Sequence, residues 1–214
     1  MGLRLPWKGP IPKPMPAPSL PEHECEDCEP LRRKAALYLR VIERYREAIE
    51  AGENKSVTEL RALIVPDNPA VRSLAAGIAG AFRPYLYERD FPAAADKAYE
   101  YCSDGIRNAF LPLEFWLTPE DMVELKAADE IDKAALLCSL LIALKNPTAK
   151  VVVETQERVR HAFVVYEFCG RFQLMDSAHR VRDAGTRQDV MARMVGDAER
   201  KVVYEFNDRE YNEW

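Results

Sequence analysis

The chain has 214 residues, of which 48% are hydrophobic and 30% are charged, as in a globular protein with a sizeable core. Its net charge of −5 gives no general attraction to nucleic acid or to an anionic membrane, so we expect neither as a partner. It lacks an apolar run of the roughly 20 residues that a membrane span needs, and its five scattered cysteines form no disulfide pattern, so we predict a cytoplasmic protein with reduced thiols.

The first 30 residues form a proline-rich leader. Seven of the fifteen prolines fall between Pro6 and Pro21, a density that favours extended polyproline geometry over a packed core. The leader ends with His23, Cys25 and Cys28, which have the spacing of half a zinc site. Zinc binding would need further ligands from elsewhere in the chain or from a partner. The alternative is a solvated acidic arm, and we expect no other cofactor.

Residues 31–90 predict a helical subdomain. Apolar residues recur at three- and four-residue spacing from Leu31 until Gly52, and shorter helical patterns follow at about 56–64 and 69–82.

Another amphipathic helix is predicted between Ala93 and Phe110. Beyond it, Thr118 and Pro119 form a typical helix start, with the capping residue followed by proline at the first helical position.

Residues 91–214 predict an α+β domain in which a buried helix packs on an antiparallel sheet. Between residues 134 and 144 the helical segment is apolar on every face, interrupted only by Ser139, and such a helix is buried on all sides. The pattern then changes to strands and one further helix. The predicted strands cover residues 151–153, 159–168, 171–176 and 201–206, and the helix covers about 187–195.

The hairpin that turns at Cys169 and Gly170 carries the first candidate site residues. If residues whose numbers sum to 339 are paired, Asp176 lies opposite Phe163 and diagonal to His161 on the same face of the sheet. A carboxylate that orients an imidazole is half of a nucleophilic triad. The third member is expected at the start of the buried helix, where a helix dipole stabilises a thiolate.

These segments resemble the transglutaminase-like proteins, relatives of the papain-type thiol proteases. That family has a helix opening close to Gly-Asp-Cys-x-Asp-Lys-Ala before a leucine-rich run, and residues 128–134 here read Ala-Asp-Glu-Ile-Asp-Lys-Ala. His161-Ala162-Phe163-Val164 and Leu174-Met175-Asp176-Ser177 follow in the family order, and residues 115–120 resemble the segment that leads into the nucleophile helix. The resemblance implies that residues 91–214 form a transglutaminase-like domain.

The chain departs from the family at the nucleophile. Glu130 stands at the position of the cysteine, and a carboxylate cannot form the acyl-thioester on which the family's chemistry depends. We therefore interpret Glu130, His161 and Asp176 as the positions of a former triad. The favoured function is a noncatalytic binding or scaffolding protein with a protein partner. The alternatives are an active hydrolase or acyltransferase with an altered site, or a metal-dependent module at the same residues.

Two of the cysteines in this region, Cys138 and Cys169, are poor candidates for a substitute nucleophile. Cys138 lies eight residues beyond Glu130, about 12 Å further along the helix, and is predicted to be a core residue. Cys169 lies in the hairpin turn, at the far end of the strand from His161.

Overall fold

The computed structural model describes residues 28–46, 59, 61–109, 116–156, 159–195 and 202–213. Two compact units can be distinguished: helix α1 (Cys28–Arg44) belongs to one, and the other described elements belong to the second. The predicted domain boundaries after residues 30 and 90 stay predictions. Within the described ranges, every helix is too short or too polar to serve as a membrane span. The cytoplasmic location also stays a prediction.

The second unit contains five of the six α-helices found in the described ranges. They are α2 (Pro69–Ala79), α3 (Tyr87–Glu100), α4 (Pro119–Leu125), α5 (Glu130–Ala143) and α6 (Arg187–Val195). The sequence patterns predicted α2 and α6 well, and Thr118 caps α4 as expected, because its side chain accepts a hydrogen bond from the Asp121 N–H. Of the helix predicted at 56–64, residues 56–58 and 60 lie outside the described residues; residues 59 and 61 are helical, and a turn follows at 62 and 63.

The helix predicted between Ala93 and Phe110 was placed wrongly. Helix α3 begins at Tyr87 and includes Pro92, whose missing N–H removes one bond near the start of the helix. Burial of Phe91 and Ala94 on one face compensates for this loss. A single π-helical turn (Tyr101–Gly105) then ends the helix. A short strand, β1 (Arg107–Asn108), follows and pairs in parallel with β2 (Ala127–Ala128).

The main sheet has six strands, all antiparallel, in the order β6-β5-β4-β3-β7-β8. Their bounds are β3 (Lys150–Gln156), β4 (Val159–Phe168), β5 (Arg171–Asp176), β6 (Val181–Gly185), β7 (Val202–Phe206) and β8 (Tyr211–Glu213). In the central hairpin Val164 pairs with Met175 and Val165 with Leu174, so the predicted register is confirmed. Cys169 and Gly170 both have positive φ (49° and 72°), as a tight two-residue turn requires.

The sheet has a buried apolar layer on each face. Phe163, Val165 and Leu174 on one face pack with Val190 and Val195 of α6. The residues that alternate with them, including Ala162 and Val164, are also buried. Helix α5 contacts β3 and β4, and it also contacts α2 and α3. The predicted α+β class, with a buried helix on an antiparallel sheet, is confirmed.

Helix α5 is the most deeply buried of the described helices in the second unit. All eleven residues from Ile131 to Leu141 are buried, including Lys133, whose side chain is among the largest that are fully enclosed. Asp129 caps the helix by accepting the Asp132 N–H at 2.8 Å. Capping and burial together fix the first turn of α5, where Glu130 lies.

Candidate functional site

His161 lies in β4 between two carboxylates. Its Nε2 is 2.8 Å from Asp176 Oδ2, and since a carboxylate only accepts, the ring nitrogen donates this hydrogen bond. On the other side of the ring, Nδ1 is 3.9 Å from Oε2 of Glu154, the residue directly opposite His161 on β3. Both ring nitrogens therefore face an acidic group.

Asp176, the last residue of β5, connects the other polar groups of the site. Its side chain is fully buried and its Oδ1 accepts the backbone N–H groups of Ala178 and His179, each at 2.9 Å. Its Oδ2 lies 2.8 Å from His161 Nε2 and 3.0 Å from His179 Nδ1. One buried carboxylate thus makes four hydrogen bonds, and it holds the turn after β5 so that a second imidazole meets the first. The two rings pack edge to face with centroids 5.0 Å apart.

Glu130 faces both imidazoles from the first turn of α5. Its Oε1 accepts the Ala162 N–H at 2.6 Å, which ties the start of α5 to β4. The same oxygen is 3.7 Å from His161 Nε2 and 3.8 Å from His179 Nδ1. Glu130 therefore lies within ion-pair range of both imidazoles.

The charges of the cluster are set by hydrogen bonds and burial together. The hydrogen bond to Asp176 raises the pKa of His161, although burial opposes it. Burial raises the pKa of Asp176, but hydrogen bonds from His161 and the His179 N–H outweigh this and hold that pKa below its usual value. The pair therefore favours an imidazolium next to a carboxylate. Burial raises the pKa of Glu130, against the hydrogen bond from Ala162 and the two histidines.

A buried lysine supports the turn that carries His179. Lys133, one helical turn after Glu130, is 1% exposed, and its Nζ donates to Asn108 Oδ1 at 2.7 Å. Asn108 Nδ2 in turn donates to the carbonyl of Ala178 at 2.9 Å. Helix α5 is therefore linked both to His161 through Glu130 and to the segment before His179 through Lys133. Burial lowers the pKa of Lys133.

The structure brings Glu130, His161 and Asp176 together and adds His179, which the sequence reasoning missed. Its position three residues after Asp176 was the available signal, because an aspartate that accepts the N–H of the third residue on can fix that residue nearby. Of the proposed zinc ligands, His23 and Cys25 lie outside the described residues. Cys28 is described only as the first residue of α1. That zinc site therefore stays a prediction.

Three cysteines have described side chains, Cys102, Cys138 and Cys169. Cys138 is fully buried within α5, as predicted, and Cys102 is fully buried in the π-helical turn. Burial raises the pKa of the Cys102 thiol to about 12 and also raises that of Cys138. Cys169 is exposed in the β4–β5 turn. A thiolate activated by His161 is thus not provided by any of these three residues.

Two surface cavities lie beside other parts of the sheet. One of about 490 Å³ lies between α3 and strands β4 to β6, with Phe91, Tyr166 and Arg182 in its wall. The other, of about 230 Å³, is lined by charged residues that include Lys150, Arg187 and Glu205. Neither of these two cavities is lined by Glu130, His161 or His179.

Comparison with known proteins gives a likeness of fold only. No family model matches the chain, and no curated protein matches it. Among solved structures, it is similar to a "putative protease" from Parabacteroides distasonis ATCC 8503, with a TM-score of 0.46 and 11% identity over 68% of this chain and 28% of that chain. It is also similar to a "putative cysteine protease" from Cytophaga hutchinsonii, with a TM-score of 0.41 and 15% identity over 67% of this chain and 47% of that chain. The chain thus spans less than half the length of either protein.

Proposed function

We propose that the chain is a degenerate transglutaminase-like protein that acts by binding a protein partner and performs no thiol chemistry. The observation that carries this proposal is the position of Glu130. Its carboxylate faces the His161–Asp176 pair from the start of a buried helix, where a nucleophilic sulfur would need to lie. Folds commonly retain their architecture when a site changes its residues.

The contacts of the Glu130 carboxylate support a structural role for this residue in place of a nucleophilic one. The hydrogen bond from Ala162 uses Oε1 to join α5 to β4, which is a structural task. The same oxygen lies 3.7 Å and 3.8 Å from the nearest nitrogens of two imidazoles, and the side chain is only 25% exposed. A carboxylate in this setting stabilises the helix start and the cluster instead of attacking a substrate.

The first test is acyl-group hydrolysis. Purified protein would be incubated with an activated aryl ester, and release of the aryl alcohol compared with that from His161→Ala. We expect both rates to equal the uncatalysed background, because no acyl-enzyme can form at a thiol. Hydrolysis that exceeds the background and disappears in His161→Ala would overturn the proposal in favour of an active hydrolase with an altered site.

The second test restores the nucleophile with Glu130→Cys. If the scaffold keeps the ancestral geometry, the helix N-terminus and His161 should lower the pKa of the new thiol from about 8.5 into the range of about 3.5–7.5. Thiolate absorbance would be measured against pH in the variant and in the wild-type chain. The wild-type signal, which comes from its five cysteines, would be subtracted.

Two controls separate the contributions to that shift. Glu130→Cys combined with His161→Ala keeps the helix N-terminus but removes the imidazole. Glu120→Cys places a thiol at an exposed position in the first turn of α4, another helix start. We expect a smaller shift in both. A Glu130→Cys thiol that titrates like the Glu120→Cys thiol would show that this position is not a former nucleophile site.

A further inference from the structure

We propose that Glu130, His161 and His179 form a binding site for one divalent first-row transition-metal ion, the class that includes Zn²⁺ and Co²⁺. One ligand atom of each residue lies within 4.8 Å of the other two. Two imidazole nitrogens and one carboxylate oxygen are a donor set that suits these ions. The inference rests on side-chain positions and does not depend on the family resemblance or on the loss of thiol chemistry.

The separations of the ligand atoms are close to those of a metal centre. Tetrahedral zinc with bonds of about 2.0–2.2 Å has ligand atoms roughly 3.4 Å apart. Glu130 Oε1 is 3.7 Å from His161 Nε2 and 3.8 Å from His179 Nδ1. Both distances from Glu130 exceed this value by only a few tenths of an ångström, and one ligand atom of each histidine lies within 4.8 Å of the other.

Each ligand is already held by a neighbouring group. Glu130 is fixed by the Ala162 N–H, and the backbone of His179 is fixed by Asp176 Oδ1. His161 presents Nε2 to the site, while its Nδ1 faces Glu154 on the adjacent strand. A carboxylate at the second nitrogen of a ligating histidine orients the ring and increases its basicity.

The cluster also provides charge and access for a cation. Glu130, Asp176 and Glu154 place three carboxylates around the two rings. Asp176 Oδ2 lies within 3.0 Å of both ligating nitrogens, so an ion bound to those nitrogens has a further anionic oxygen nearby. The His161, Glu130 and His179 side chains are 24%, 25% and 58% exposed, which leaves one side of the site open to solvent.

Metal binding requires proton movement that the site can accommodate. In the metal-free protein the ring nitrogens that face Asp176 carry the protons of those hydrogen bonds. A ligating nitrogen carries no proton, so the imidazolium of His161 releases its Nε2 proton to solvent and keeps the proton on Nδ1. For His161 the other nitrogen faces Glu154, which can accept that N–H.

The test is titration of the full metal-free chain with Co²⁺, followed by its visible absorption, and with Zn²⁺, followed by calorimetry. We expect one ion per chain at this site, bound through nitrogen and oxygen. His179→Ala, which removes a half-exposed ligand, and His161→Ala should each weaken binding at least tenfold. At a Zn²⁺ concentration 100 times the wild-type Kd, the folding equilibrium constant from urea unfolding should rise about 100-fold, and in His179→Ala this gain should fall to about tenfold or less.

The leader must be separated from this site, because His23, Cys25 and Cys28 are candidate zinc ligands too. Cys25→Ser combined with Cys28→Ser should retain the nitrogen- and oxygen-ligated ion. Glu130→Gln should lose affinity, whereas Glu120→Gln, which removes an exposed carboxylate on α4, should not. Absence of binding by the wild type, full affinity in His179→Ala, or binding abolished by the two serine substitutions would each overturn the proposal.

Discussion

Replacing Asp176 tests whether one buried carboxylate holds the site together. Its two oxygens accept four hydrogen bonds, two from backbone N–H groups and two from imidazoles, and its side chain is fully buried. Asp176→Ala leaves all four donors without this acceptor. Removal of one partner from a buried charged network costs about 3–5 kcal/mol, so we expect a loss of that size in the free energy of unfolding.

Asp176→Asn should be much milder, at about 1–2 kcal/mol. The amide oxygen can still accept the Ala178 and His179 N–H groups, and the amide NH₂ can donate to ring nitrogens that have changed tautomer. Both variants would be measured by urea unfolding with a chelator present, followed by circular dichroism. Asp104→Ala is the control, because its pair with Arg180 is exposed and should contribute less than about 1 kcal/mol. Equal losses for alanine and asparagine, or a loss below about 1 kcal/mol for alanine, would refute this reasoning.

Three further predictions concern buried and strained positions. A thiol reagent near neutral pH should label Cys102 and Cys138 only after unfolding, because burial raises both pKa values; mass spectrometry of native and urea-treated protein checks this. In the β4–β5 turn, Gly170→Ala should lower the free energy of unfolding by about 1–2 kcal/mol because φ is +72°. Cys169→Asn should raise it by up to about 1 kcal/mol, and urea unfolding measures both changes. Lys133→Met should change stability by less than about 1.5 kcal/mol, whereas Lys133→Ala, which leaves a cavity, should cost about 2–4 kcal/mol in the same measurement.

The central strands and α6 could be read from the sequence because local signals and burial agree there. The bounds of β4 and β5 follow from two apolar runs separated by a two-residue turn, which also fixes the register. The register in turn predicts that His161 and Asp176 share a face. Helix α5 was equally clear, since an apolar surface on every side is explained only by complete burial.

The edge strands β6 and β8 were missed because their signals are weak. Each has a neighbour on one side only, and the exposed residues of β6 include polar side chains that would also suit a loop. The start of α3 at Tyr87 was missed; a proline inside a helical pattern disfavours continuation, and burial of Phe91 tolerates Pro92 there. The spacing of three residues after Asp176 was the only signal for His179, and the turn between β5 and β6 that gives this spacing its meaning was not predicted because β6 was missed.

The burial of α5 has a consequence for how the protein is made. Residues 130–143 leave the ribosome before strands β3, β4 and β7, and β4 is one of the surfaces that cover the helix. At about 5–20 residues per second, synthesis from residue 143 to residue 206 takes roughly 3–13 s. Until β3 and β4 have emerged, the apolar helix lacks the strands that cover it, and the sheet is complete only when β7 has followed. We therefore expect nascent chains that end between these points to need a chaperone, and to aggregate when it is depleted.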